Sequence, residues 1–122
     1  MISDDLWMTI RNYMRDYCGY CPPNELRQAL EQHTEIYVFD GGAFVARGNE
    51  FDLFVVPAKR GRWRIRSEIT NYLRKMGKRY GTIVVKVSAN NTPSLRLAKF
   101  FGFKETSRKD GFIRLESSSW AI

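Results

Sequence analysis

Three groups of residues in this chain have the types and spacing for chemistry. The first is the stretch "AKRGRWRIRSE" (58–68), with five basic residues, one glycine and a tryptophan between a strand-like apolar run and a helix-like run. Backbone N–H groups at such a junction can converge on a phosphate, helped by the positive end of the helix dipole. Gly61 would let the backbone approach without a Cβ in the way. Arg62, Trp63 and Arg64 follow it. These side chains either fill the cradle or replace lost N–H donors with charge-assisted bonds to phosphate oxygens. The second group is Glu50 and Asp52, two carboxylates on one strand-like segment. They are candidate general bases, and equally read as ordinary edge-strand charges. The third is Cys18-Gly19-Tyr20-Cys21. A C-x-x-C is a redox pair when it opens a helix after a strand, but this one follows a helical stretch and precedes Pro22-Pro23. A zinc site would need two more ligands, and His33 is the only histidine, so the pair reads as two loop thiols with no metal.

The elements that must position these groups follow from periodicity. Ser3 is a candidate N-cap for a helix whose apolar side is Leu6, Trp7, Ile10, Tyr13, Met14 and Tyr17. "CGYCPP" breaks it, and Pro22 and Pro23 are expected to start a second helix with Leu26, Ala29 and Leu30 inward. From residue 35 the period becomes two: "EIYVFD", "GAFVARG" and "EFDLFVVP" predict three strands, the first two joined at Asp40-Gly41-Gly42. A long helix is predicted from Trp63 to Tyr80, with Ile65, Ile69, Tyr72, Leu73, Met76 and Tyr80 as its buried stripe. "GTIVVKVS" predicts a central strand, "NNTPSLRLAKFF" a helix ended at Gly102, and "FKETSR" with "FIRLESS" a hairpin around Lys109-Asp110-Gly111. Asn90, Asn91 and Ser94 gather where that last helix begins, as ligand groups or simply as caps. The order is ααβββαβαββ: an α/β sandwich on a mixed, mostly antiparallel sheet flanked by helices, in one domain over 1–122 with helices in 1–34 and the core in 35–118.

Composition narrows the function classes. A chain of 122 residues with 43% hydrophobic and 14% aromatic residues can bury a core and does not read as disordered. No apolar run approaches the ~20 residues a membrane helix needs, and the acidic start "MISDDLWM" does not read as a secretion signal. Nine Lys/Arg against the single acid Glu68 in residues 59–79 give +8, more than the net +7 of the chain. Such a face suits phosphate, nucleic acid or an acidic protein, or is a solvated helix face. No helix-turn-helix, zinc finger or aromatic RNA-binding motif accompanies it.

Two stretches resemble the GNAT (N-acetyltransferase) superfamily. "NNTPSLRLAKFFGFKET" is similar to its N-x-x-S-x-R-x-x-x-x-x-G-F segment, and "LFVVPAKRGRWRI" to its strand–Pro–loop–helix segment, which holds the pyrophosphate of acetyl-CoA. The resemblance spans residues 35–116. It implies a GNAT-like (acyl-CoA N-acyltransferase) sandwich, with acetyl-CoA or coenzyme A, if the chain is active, held by Phe54, Val56, Arg60, Gly61, Arg62, Trp63, Arg64, Asn90 and Ser94. It implies Asp52 or Glu50 as the base for an amine. Many members carry a Tyr four residues before the Gly of "GF"; here that position is Ala98. The second half also resembles GNAT-like internal virion proteins of T7-like bacteriophages, on "RWRIRSEITNYLRKMGKRYGT", "NNTPSLRLAKFFGF" and "RKDGF". That likeness implies a non-enzymatic virion or virion-assembly protein in the host cytoplasm or the virion, with phage structural proteins, or DNA at 59–79, as partners. The alternative is an active N-acetyltransferase of a small amine or a protein amine.

Overall fold

The Ser3 hydroxyl accepts from the Leu6 N–H at 3.2 Å and starts α1 (Asp4–Cys18), whose first turn carries Asp4 and Asp5 against the positive helix end. Gly19 closes α1 in the left-handed region at φ 69°. The computed structural model describes residues 2–56 and 63–121; the side chains of residues 18, 33, 63 and 64 fall outside that description. The second helix, α2 (Glu25–His33), begins after the two prolines rather than on them. Asn24 stands at its N-cap without a capping bond, because its Oδ1 accepts from the Trp7 indole N–H at 3.0 Å.

The remaining elements are β1 (Glu35–Phe39), β2 (Gly42–Arg47), β3 (Glu50–Val55), α3 (Trp63–Tyr80), β4 (Ile83–Ser88), α4 (Thr92–Phe100), β5 (Lys104–Lys109) and β6 (Phe112–Ser117). The order is the expected ααβββαβαββ, and the strands are joined β1-β2-β3-β4-β6-β5 in one mixed sheet. β1–β2, β4–β6 and β5–β6 are antiparallel, whereas β3 and β4 run parallel.

The chain forms two compact units, Met1–Arg47 with Asp52–Glu68, and Gly48–Phe51 with Ile69–Ile122. In the first, one face of α1 packs Leu6, Trp7 and Ile10 with Ala43, Val45 and Phe54, and Tyr13 meets the Phe54 ring edge-on at 5.4 Å. Gly42 is required there: a Cβ would lie 2.5 Å from the Phe54 carbonyl oxygen. In the second unit, Leu73, Ile83, Val84 and Leu115 are almost fully buried, and Phe51 packs on Tyr72 at 5.3 Å and Phe103 at 6.1 Å. The α3 stripe Ile65, Ile69, Tyr72, Leu73 and Met76 is buried, Tyr80 is half-buried, and Arg66, Arg74, Lys75, Lys78 and Arg79 are exposed. Hydrophobic spacing alone thus put the basic side chains on the outer face of the helix.

Candidate functional site

In the first unit the exposed Asp52 and buried Phe54 lie on β3, and Val56 follows the strand. Phe54 is a core side chain, 7% exposed. The Val56 N–H donates to the Gly41 carbonyl at 2.8 Å, which ties the end of β3 to the β1–β2 turn. Arg60, Gly61 and Arg62 lie outside the described residues, as do the side chains of Trp63 and Arg64; the backbone of Trp63 opens α3.

In the second unit, Glu50 begins β3 as the Cα partner of Val84, and its Oε1 lies 3.4 Å from Lys86 Nζ on β4. The carboxylate proposed as a base therefore faces a cross-strand cation. Asn90 is exposed beyond the far end of β4. From Val84 to Ser88 the strand rises about 13 Å, so Glu50 and Asn90 are not brought together. The polar residues opening α4 behave as caps: buried Asn91 accepts from the Ser94 N–H at 3.3 Å, with Pro93 in the first turn. Ala98, in the second turn of α4, stands at the position where the family resemblance expects a Tyr.

Cys21 is an exposed free thiol whose Sγ accepts from Arg11 at 3.5 Å. Among the described residues, no three His, Cys, Asp or Glu side chains stand together as a metal site, and no helix is long and apolar enough to cross a membrane.

Sequence reasoning passed over one more constellation. A concavity of about 470 Å³ on the second unit is lined by Lys86, Ser107, Lys109, Asp110, Phe112 and Arg114. Lys86 and Arg114 are direct Cα partners across β4 and β6, Ser107 faces Arg114 across β5, and Lys109 faces Phe112. Arg114 Nε donates to Glu116 Oε2 at 3.0 Å, and that bond, with a second from Thr106, holds the Glu116 carboxyl below its usual range. The sequence signal was present as single cations in "IVVKVS" and "FIRLES", but the neighbouring of β4 and β6 that joins them was not.

No family model and no curated protein matches the sequence. Solved structures do match. An N-acetyltransferase from Staphylococcus aureus Mu50 is 16% identical, with a TM-score of 0.73 over 93% of this chain and 90% of that one. The ribosomal-protein-alanine N-acetyltransferase from Brucella melitensis is 15% identical, with a TM-score of 0.68 over 91% and 90%. The protein yncA from Salmonella typhimurium, solved with its cofactor acetyl-CoA, is 16% identical, with a TM-score of 0.60 over 96% and 91%. At these identities the likeness establishes the fold: a GNAT-like, acyl-CoA N-acyltransferase sandwich, with six strands and four helices among the described residues.

Proposed function

We propose that this chain has kept the GNAT sandwich without the acetyl-transfer chemistry. It would serve as a non-enzymatic component of a bacteriophage particle or its assembly line, docking through the basic residues 59–79 on phage structural proteins or DNA. One observation carries the loss of chemistry. Two residues that the family resemblance places at the cofactor, Val56 and Ser94, have their backbone N–H groups engaged within the chain, with the Gly41 carbonyl and the Asn91 side chain. A pyrophosphate needs several N–H donors converging on it, and these two are already spoken for. Ala98 and the Glu50–Lys86 pair point the same way, since neither supplies an acid or an unpaired base. The virion assignment is supported by the sequence likeness of the second half. The docking assignment is supported by the exposed cations of α3.

The test is thermal unfolding with coenzyme A. A ligand that binds only the native state at 100 times its Kd stabilises it by about 2.7 kcal/mol. The expected result is no rise in Tm at millimolar coenzyme A, and a rise of several degrees would overturn the reading. The protein should also co-purify with particles or proheads.

A second reading, an acetyl-CoA-dependent N-acetyltransferase of a small amine or a protein amine, is favoured by the acetyl-CoA in yncA, which this fold matches over nearly its whole length. Acetyl-CoA would then supply the acetyl group, and Asp52 or Glu50 on β3 would take the proton from the amine. If Asp52 is that base, Asp52→Asn should abolish turnover without lowering Tm.

A further inference from the structure

We propose that the concavity between β4, β6 and β5 is a binding site for a small-molecule phosphate monoester. Lys86 and Arg114 are direct partners on adjacent antiparallel strands. Like charges directly opposite one another on a sheet destabilise it. Glu50, 3.4 Å from Lys86, and Glu116, 3.0 Å from Arg114, offset part of that repulsion from the sides; an anion seated between the two cations would offset the rest, and Lys109 adds a third cation on the next row of the same face. The lining carries three positive groups against one negative, Asp110.

The β5–β6 hairpin is built to aim these groups. Its register runs Lys104↔Glu116 and Glu105↔Leu115, then skips Thr106 and resumes as Ser107↔Arg114 and Lys109↔Phe112. Without this bulge, Thr106 and Arg108 would stand opposite Arg114 and Phe112. With it, the Ser107 hydroxyl and Lys109 take those places. Arg108 is turned to the other face, where it pairs with Glu105 at 2.8 Å. A bulge that re-aims side chains next to a site is a recurrent device. The turn is fixed by Asp110 and Gly111, both at positive φ (53° and 81°), and by the Ala89 N–H donating to the Gly111 carbonyl at 2.9 Å.

The chemistry of the ligand follows from the lining. Three cations and a hydroxyl match a phosphate dianion, for which guanidinium and ammonium donors form strong charge-assisted bonds. Only the Nε of Arg114 is committed to Glu116, and a guanidinium has five N–H donors. The volume of about 470 Å³ exceeds that of a bare phosphate and lies in the range of small-ligand pockets. The half-buried Phe112 ring offers a wall for the organic part.

The experiment is a two-dimensional amide NMR titration of the full chain with inorganic phosphate and with phenyl phosphate. Saturable shifts are expected at Lys86 and residues 107–114 with both probes, with phenyl phosphate the tighter by at least about threefold. Arg114→Gln and Lys109→Gln should each weaken phenyl phosphate about tenfold, the scale of one lost charge-assisted contact. Lys109 is exposed, so its substitution keeps the test valid if Arg114→Gln disturbs the hairpin. Shifts confined to α3, equal affinity for the two probes, or unchanged binding in Lys109→Gln would each overturn the proposal.

Discussion

The second unit carries its positive charge in two different shapes. On α3, Arg74, Lys75, Lys78 and Arg79 stand exposed on a convex helix surface. On the hairpin side, Lys86, Lys109 and Arg114 come from three strands and line one concavity. Charge count alone does not distinguish them; curvature does. A convex row can be met only by an extended partner that runs along it, whereas a concave cluster can surround one discrete anion. The expected behaviours therefore differ in salt dependence, in competition by small phosphates and in the effect of single substitutions.

The comparison holds only if both regions hang on one packed core. Phe103, 4% exposed and against Phe51, precedes β5 and anchors the hairpin, while Phe51 also meets Tyr72 of α3. Phe103→Ala should cost roughly 3–5 kcal/mol in urea unfolding and remove both binding behaviours together. A cost below about 1 kcal/mol would mean that the hairpin and α3 are supported separately. The next effect in size concerns α3 alone. Four phosphate contacts to DNA imply a log–log salt slope near −3.6, so affinity should fall roughly a hundredfold between about 50 and 200 mM salt. An affinity flat in salt would remove DNA from the partners of this face, and phenyl phosphate should compete there only weakly.

These two regions were also unequally legible in the sequence. The α3 boundaries and its buried stripe followed from a 3.6-residue period, which depends only on local spacing. The cap on α4 was similarly local, because Asn91 and Ser94 stand three residues apart. The concavity depended on relations the sequence does not display. Lys86 meets Arg114 because β4 neighbours β6 across an intervening helix and strand, and Ser107 and Lys109 face it because of a one-residue bulge at Thr106. A period-two reading of "KETSRK" would have assigned the opposite faces. The Glu50–Lys86 pair was hidden for the same reason, since it rests on the parallel register of β3 and β4. The start of α2 falls at Glu25 rather than on Pro22 and Pro23, and the long-range bond from Trp7 to Asn24 at that boundary, between residues seventeen positions apart, is not displayed by the sequence. The turn around Gly61, on which much of the cofactor expectation rested, lies outside the described residues.

The smallest expected effect decides how the concave cluster is tuned. Glu116 accepts from Arg114 Nε and from the Thr106 hydroxyl, and these bonds hold its carboxyl below its usual value. A depressed carboxyl is charged at neutral pH, and its contribution to stability is lost only as the pH falls below the ordinary glutamate range and through its folded value. At neutral pH, then, Glu116 is a standing competitor for the same guanidinium that a phosphate would use. Glu116→Gln removes that competitor and keeps the shape, so phenyl phosphate should bind about 1.5- to 5-fold tighter, the worth of one exposed ion pair. The gain should vanish when wild type and variant are compared below the folded value of the carboxyl, where Glu116 is itself neutral. If Glu116→Gln instead weakens binding at neutral pH, the carboxylate is holding Arg114 in place rather than competing for it. The concave site would then depend on a fixed guanidinium, a constraint that the convex face of α3 does not share.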